Sequence, residues 1–352
     1  MKISIGMNLQ DGPFGGGNQF GQALTRRLRG FGHQVMFDLH DRDIDLILLT
    51  NPRVQAKSCA FSHKEILGYL RKVNRETIVI HRINECDERK GTRGVNSLLR
   101  NSNQIADYSI FVSSWLRDLH LSQGMKARPN SVMLNGPDRN LFNPNGYRRW
   151  SGSGPIRLVT HHWGGNWNKG FDIYQRIDDL IDKRWKGVFE FTYIGNLPEG
   201  FRFRNSNYQR PLSGKRLADA IKENHVYVTG SINEPGGSHQ SEGLLCGLPV
   251  LYRDSGCLPE YCDDYGIKFT YETFEERLES ILGTYDSFAN KAKGFSLDSE
   301  MMSKNYNDLF EFLMKGKKEI LENRGELPKF DSGKTQKSII AKMARKVWRA
   351  FI

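Results

Sequence analysis

Short apolar runs alternate with amphipathic helical stretches along most of this chain, and the alternation occurs in two series. A segment rich in glycine, serine and arginine, at 145–156, separates the series. Strands that alternate with helices form parallel sheets covered by helices on both faces. The pattern therefore predicts an α/β protein of two doubly wound domains, over 1–147 and 155–297. The length of 352 residues agrees, because it exceeds what one hydrophobic core usually serves.

The strand candidates are mostly apolar throughout, as expected where helices cover both faces of a sheet. In the first series they lie at 2–7, 34–39, 45–50, 77–83, 108–113 and 131–135. In the second series they lie at 156–162, 189–195, 225–230 and 249–252. Helical periodicity predicts helices near 19–30, 62–73, 93–105, 114–122, 170–183 and 213–223, and another after Ser238.

The formal net charge of +11 is concentrated near the carboxyl end. The segment 329–352 holds seven Lys or Arg residues and one Asp, so it supplies +6 of that total. The rest of the chain is only mildly basic, which argues against a specific nucleic-acid partner.

The tail at 334–352 is predicted to form a basic amphipathic helix. From Ile339 onward its apolar residues fall in pairs spaced by four, which gives one continuous stripe on a helix. A basic helix with Trp348 and Phe351 on its apolar face suits the surface of an anionic membrane. The alternative is that the stripe packs on the protein's own first domain or on a second copy.

The remaining composition favours a cytoplasmic protein. Five scattered cysteines without a Cys-x-x-Cys pair suit a reducing compartment. No apolar run approaches the roughly 20 residues that span a bilayer, and the amino terminus is typical of a strand rather than a signal peptide. The nine histidines do not cluster at metal-ligand spacing. We therefore expect no metal site, and a cytoplasmic protein that the tail attaches peripherally to the inner face of the membrane.

In doubly wound domains, ligands bind at the carboxyl ends of the strands. The most informative loop there, 234–242, reads EPGGSHQSE. Its glycines let the backbone approach a ligand, and Ser238 is a good N-cap for a helix whose N-terminus suits a phosphate. The carboxylates of Glu234 and Glu242 suit sugar hydroxyls, because each accepts two hydrogen bonds at once. The alternative is a capped helix with solvated glutamates.

The spacing of Glu234 and Glu242, followed by GLPV, resembles the EX7E motif of retaining GT-B glycosyltransferases, in particular glycosyltransferase family 4. Five further segments resemble motifs of that family in matching order: GGGN (15–18), TIVIHRIN (77–84), ADYSIFVSSWLRD (106–118), VMLNGPDRNLFNP (132–144) and NWNKG (166–170). The resemblance covers roughly residues 1–285. It implies two Rossmann-like domains that face a cleft, with crossover helices at 298–325 that return to the first domain.

The resemblance also implies roles for single residues. Lys169 would bind the donor diphosphate, Glu234 the hydroxyls of the transferred sugar, and Glu242 the ribose. His81 would lie near the anomeric carbon, so His81 and Glu234 are the catalytic candidates. The other donor-site candidates are Gly16, Gly17, His162, Gly236, Gly237, Ser238 and His239.

The phosphate-binding part of the site departs from the family in one respect. The family usually has an arginine about five residues before the lysine, but no arginine lies between Arg157 and Lys169. Phosphate neutralisation would then fall to Lys169, His162 or the amides of 164–165. On the acceptor side, Glu85 or Asp87 would contact an acceptor hydroxyl. A solvated charged loop is the alternative for that segment.

The sequence thus predicts a retaining glycosyltransferase with a nucleotide sugar, a UDP- or GDP-sugar, as its substrate and with no cofactor and no metal. The expected acceptor is a glycan or lipid-linked glycan in cell-surface polysaccharide synthesis. The alternatives are a GT-B sugar-nucleotide epimerase and a non-catalytic module that binds glycan or nucleic acid. Sugar-nucleotide binding would separate the enzymes from the module, and dependence on an acceptor would separate transferase from epimerase.

Overall fold

The computed structural model describes residues 1–10 and 15–330. The predicted basic helix at 334–352 lies outside these residues. Within them the chain forms two α/β units, each built on a six-stranded sheet in which every neighbouring pair of strands is parallel. The prediction of two doubly wound units is confirmed.

The first sheet contains the six strands predicted for the first series. They are β1 (Lys2–Ile5), β2 (Gln34–Met36), β3 (Leu46–Leu49), β4 (Ile78–Ile83), β5 (Tyr108–Phe111) and β6 (Asn130–Val132). Their order across the sheet is β2-β1-β3-β4-β5-β6. The inner strands β3 and β4 are buried along their whole length, which explains their continuous apolar sequence.

The second sheet contains the four strands predicted for the second series and two more. They are β7 (Ile156–His162), β8 (Phe189–Gly195), β9 (Asn207–Gln209), β10 (Val226–Thr229), β11 (Val250–Arg253) and β12 (Gly266–Phe269). The order is β12-β11-β10-β7-β8-β9, so the two strands that were not predicted, β9 and β12, form the edges.

Helices cover both faces of each sheet. In the first unit they are α1 (Gly16–Gly30), α2 (His63–Lys72), α3 (Val95–Ser102) and α4 (Ser114–Ser122). In the second they are α5 (Phe171–Ile181), α6 (Gly214–Lys222), α7 (His239–Leu245), α8 (Leu258–Cys262) and α9 (Phe274–Ala292). Two helices follow, α10 (Ser299–Lys315) and α11 (Lys317–Asn323). Among the described residues, no helix is long and apolar enough to cross a membrane.

Helix α10 returns to the first unit. Asp298 caps its N-terminus by accepting hydrogen bonds from the amides of Glu300 and Met301, at 3.0 and 2.8 Å. Its buried stripe packs with α1 and the first sheet, and it consists of Met302, Tyr306, Phe310 and Leu313. Burying one such side chain contributes about 1.5–3 kcal/mol, so the stripe ties the end of the chain firmly to its beginning.

The carboxyl edges of the two sheets face each other, and hydrogen bonds join the units there. The amide and hydroxyl of Ser114 donate to the Glu260 carboxylate at 2.7 and 2.8 Å. The Ser113 hydroxyl donates to the carbonyl of Pro235 at 2.7 Å. These contacts place the loops of both units around one cleft.

Candidate active site in the cleft between the two units

A cavity of about 300 Å³ lies between the carboxyl edges of the two sheets. Its two walls are close together, because a Cβ atom added at Gly16 would lie 3.5 Å from the hydroxyl of Ser238. The cavity brings together most of the donor-site residues predicted from the sequence. Those that line it are Gly16, Gly17, His162, Lys169, Glu234, Gly236, Gly237, Ser238, His239 and Glu242.

A buried ion pair of Lys169 and Glu234 lies in this cavity. Nζ of Lys169 donates to Oε2 of Glu234 at 2.6 Å, and both side chains are buried. Arg89 of the first unit approaches the other oxygen, with Nη2 3.5 Å from Oε1. Removing one partner of such a pair is costly, because a buried charge is then left uncompensated.

The pKa values in this cluster follow from burial and from the neighbouring charges. Burial alone would raise the pKa of Glu234, but the charges of Arg89 and Lys169 outweigh it and hold the pKa below its usual range. Burial lowers the pKa of Lys169, the charge of Arg89 lowers it further, and Glu234 opposes both. Glu234 is therefore an ionised carboxylate that can only accept hydrogen bonds.

The residue before Glu234 has an unusual backbone conformation. Asn233 has a φ of 52°, in the left-handed region that non-glycine residues rarely adopt. Its amide donates to the hydroxyl of Ser255 at 2.9 Å, and the amide of Cys257 donates to the carbonyl of Glu234 at 2.8 Å. Such strain costs about 1–3 kcal/mol and persists only where the surroundings hold it, as they often do at functional sites.

Glu242 lies in the first turn of α7 and is held by a chain of hydrogen bonds. Its Oε2 is 2.5 Å from Nε2 of His161, and Nδ1 of His161 is 3.0 Å from the hydroxyl of Tyr227. Because the carboxylate accepts, Nε2 of His161 carries a proton. The same cavity has an apolar part that includes Ile194 and Leu212.

His162 and His239 lie side by side, with ring centroids 4.6 Å apart. Burial lowers the pKa of both rings well below its usual value, and nearby basic groups add to this effect, while the charge of Glu234 opposes it at His239. Both rings are therefore neutral at pH 7. His162 shares a 2.8 Å hydrogen bond with Tyr174, and His239 shares a 2.9 Å bond with Thr229. As a neutral ring, His162 does not supply the positive charge considered for phosphate neutralisation.

The structure does not bring His81 into the cavity. His81 is fully buried on β4, and its Nδ1 is 3.0 Å from Oδ1 of Asn103. Burial lowers its pKa to about 3, and its Nε2 has no hydrogen-bond partner among the described residues. The next residue, Arg82, points to the opposite face of the sheet and lines the cavity instead.

The two acceptor-side candidates are engaged within their own loop. Asp87 accepts hydrogen bonds from the amides of residues 94–96 and from Thr92, at 2.9–3.1 Å, and so holds the start of α3. Glu85 pairs with Lys90 at 3.1 Å. Neither carboxylate lines the cavity, whereas Lys90 does.

Two cavity-lining arginines were not predicted as site residues. Arg89 is described above. Arg82 is buried, stacks over the ring of Phe20 at 3.7 Å, and donates to Oδ1 of Asn135 at 2.8 Å. Asn135 in turn donates to the carbonyl of Gly236 at 2.6 Å, so it joins the two walls. The signal available for Arg89 was the charged segment after β4, which could not be told from a solvated loop, whereas Arg82 lies within β4 itself.

The N-terminus of α1 completes the wall that the first unit contributes. Gly15, Gly16 and Gly17 line the cavity, and the first turn of this 15-residue helix carries no acidic side chain. The positive end of the helix dipole therefore faces the cavity, an arrangement that favours an anion. Among the described residues, no group of three or more His, Cys, Asp or Glu side chains could hold a metal ion.

Solved structures with a similar fold include several that carry nucleotides or sugars. The catalytic domain of starch synthase IV from Arabidopsis thaliana, bound to ADP and acarbose, has a TM-score of 0.67 at 11% identity, over 89% of this chain and 99% of that one. HepE from Anabaena, in complex with UDP-glucose, has a TM-score of 0.65 at 12% identity, over 89% and 100%. Sucrose-phosphate synthase from Thermosynechococcus elongatus has a TM-score of 0.61 at 13% identity, over 90% and 99%.

These likenesses show the fold. The chain is a two-domain α/β protein with the GT-B fold, in which two Rossmann-like units face a cleft. No family model matches the sequence, and no curated protein matches it.

Proposed function

We propose that this protein is a retaining glycosyltransferase of the family 4 type. It transfers a sugar from a UDP- or GDP-sugar to a glycan or lipid-linked glycan in cell-surface polysaccharide synthesis. The observation that carries the proposal is the convergence of Lys169, Glu234 and Glu242 in one cavity beside two glycine-rich loops. The nucleotides named with HepE and with starch synthase IV support a nucleotide-sugar donor.

The cavity offers a place for each part of such a donor. Lys169 binds the diphosphate, and the ionised Glu234 beside it accepts hydrogen bonds from sugar hydroxyls. Glu242 binds the ribose, and the apolar part with Ile194 and Leu212 receives the base. The loop at 236–239 and the N-terminus of α1 supply amide donors.

The reaction breaks the bond between the anomeric carbon and a diphosphate oxygen, and the electron pair leaves with the diphosphate. The acceptor hydroxyl forms a bond to the same carbon on the same face, and its proton passes to the departing phosphate. The sugar gains positive charge as the bond breaks, while negative charge builds on the diphosphate. Fixed positive groups in a water-poor cleft are the main source of stabilisation for that charge.

The first experiment is a binding panel of UDP-, GDP-, ADP- and CMP-sugars followed by thermal unfolding. A ligand at 100 times its dissociation constant stabilises a protein by about 2.7 kcal/mol, which such a panel detects. We expect one nucleotide sugar to bind and to turn over only when an acceptor is added, in the presence of a chelator. Turnover without acceptor would indicate an epimerase, and no binding at all would reject the proposal.

The second experiment replaces the central carboxylate. Glu234→Gln keeps the shape of the side chain but removes the charge next to Lys169, so we expect turnover to fall at least tenfold. The control is Glu276→Gln on α9, whose side chain is exposed. Wild-type turnover in the Glu234 variant would show that this carboxylate does not act on the donor.

A further inference from the structure

The inner wall of the cavity has more positive charges than negative ones. Four basic side chains line it, Arg82, Arg89, Lys90 and Lys169, against the two carboxylates of Glu234 and Glu242. Buried or half-buried charges are costly unless they are balanced. The surplus positive charge in this cluster therefore favours an anionic ligand.

Arg89 is the member of this cluster whose donors are least used. Its contacts to Glu234 and Glu85 are both 3.5 Å, which is long for a charge-assisted hydrogen bond. Its Nε is buried and has no hydrogen-bond partner among the described residues. A guanidinium with unused donors beside a cavity matches the paired oxygens of a phosphate.

The position of Arg89 is fixed by the fold around it. Asp87 accepts from three amides at the start of α3 and so closes the loop that carries Arg89. The side-chain amide of Asn168, in the second unit, donates to the carbonyl of Arg89 at 3.2 Å. Asn168 is the neighbour of Lys169, so this bond holds the arginine of one unit beside the lysine of the other.

We propose that Arg89, together with Lys169, binds the diphosphate of the donor. Arg89 then supplies, from the first unit, the positive charge for which the segment between Arg157 and Lys169 contains no arginine. This inference rests on the proposed function and adds to it the second cation that binds the diphosphate.

The arrangement has a consequence for how a donor contacts the two units. Arg89 belongs to the first unit and Lys169 to the second, so a diphosphate bound by both links the units directly. A nucleoside without phosphates contacts neither cation. The diphosphate, and not the base, is therefore the part of the donor that contacts both units through these cations.

The test measures binding of UDP, GDP and ADP by calorimetry, and takes forward whichever binds the wild-type protein, together with its nucleoside. Arg89→Gln should weaken the diphosphate about 10- to 100-fold and leave the nucleoside unchanged, because only the phosphates meet the guanidinium. Arg89→Lys keeps the positive charge but lacks the paired donors of the guanidinium, so its loss of diphosphate affinity should be smaller. The matched control, Arg93→Gln, removes an exposed charge from the same loop and should change neither affinity.

Equal diphosphate affinity in wild type and Arg89→Gln would overturn the inference while the proposed function stands. Equal loss of nucleoside and diphosphate in both Arg89 variants would also overturn it, because that result indicates a structural role. If none of the three diphosphates binds the wild-type protein, the proposed function fails first, and the inference fails with it.

Discussion

Glu242 illustrates, at the scale of one residue, how the cavity fixes a buried carboxylate. One of its oxygens is occupied by His161 at 2.5 Å, and Tyr227 holds that ring from the other side. We expect Glu242→Gln to weaken nucleotide binding about 10- to 100-fold, since a hydrogen bond to a charged group contributes about 1.5–3 kcal/mol. Turnover at saturating donor should change much less.

Calorimetry with the nucleotide that binds the wild-type protein checks this prediction. A nucleoside monophosphate and a diphosphate should lose affinity by the same factor, because both carry the ribose. Unchanged affinity would show that Glu242 supports His161 instead of contacting the ligand.

The neighbouring residues His81 and Arg82 show what a sequence cannot decide at this scale. Successive residues of a strand point to opposite faces of the sheet, so the side chains of His81 and Arg82 lie on different sides of it. The resemblance of TIVIHRIN to a family motif favoured His81 as the site residue. In the structure, however, His81 is buried beside Asn103, and Arg82 lines the cavity. Which face is which depends on the helices that cover the sheet. The same holds for Arg89, whose neighbour Glu234 is 145 residues away in the chain.

At the scale of the secondary-structure element, the loop before α7 packs closely against the segment that follows β5 in the other unit, which limits the size of the side chains in the loop. A Cβ atom added at Gly236 would lie 2.5 Å from Cγ2 of Val112 and 3.2 Å from the side-chain amide of Asn135. Gly236→Ala must therefore push the two walls apart, and we expect turnover to fall at least tenfold with little loss of stability in the separate units.

A second substitution distinguishes crowding from other effects. Val112→Ala removes the nearest methyl group, so the double variant should recover part of the lost turnover. Gly283→Ala on α9 is the control, since a Cβ atom there meets nothing within 4 Å and the residue lies away from the cavity. No recovery in the double variant would contradict the steric explanation.

Ten of the twelve strands could be predicted, and the two exceptions are the edges of the second sheet. Strands β9 (Asn207–Gln209) and β12 (Gly266–Phe269) are short edge strands, and no residue of β9 is buried. Three residues of which none is buried show no apolar periodicity. Only the backbone pairing with β8 makes this segment a strand, and that pairing is not visible in the sequence. The inner strands were predicted because burial on both faces demands apolar residues.

At the scale of the whole molecule, buried histidines predict how stability depends on pH. Burial lowers the pKa of His63 and His225 to about 4 and that of His81 to about 3, from an ordinary value of 6.5. Below pH 6.5 the unfolded chain takes up protons that the folded protein does not, so stability is greatest above that pH and falls toward pH 4. His81 alone should contribute about 2 kcal/mol of this loss at pH 5.

Urea unfolding at pH 7.5 and pH 5 checks the prediction. His81→Gln should show a smaller loss between the two conditions than the wild type, and His40→Gln, with a side chain 90% exposed, should show the same loss as the wild type. An equal loss in the wild type and the His81 variant would mean that this ring is protonated in the folded protein.

The last described residues, 328–330, show on which unit the chain lies just before the basic tail at 334–352. Phe330 packs edge-on against His63, with ring centroids 4.9 Å apart, and Arg71 donates to the carbonyl of Pro328 at 2.8 Å. Both partners belong to α2, so residues 328–330 lie on the first unit, the side on which the proposed acceptor binds. A membrane-bound tail would therefore hold the acceptor side of the cleft near a lipid-linked glycan.

We expect the full chain to sediment with anionic vesicles and a chain that ends at Gly333 to stay in solution. Each Lys or Arg near such a surface contributes about 1 kcal/mol, so the six basic residues of 334–352 suffice for measurable binding that weakens as salt is added. Nucleotide binding serves as the control, because the shortened chain should keep it. If both chains remain in solution at low salt, the tail is a helix that packs on a protein surface, and the proposed lipid-linked acceptor loses its main support.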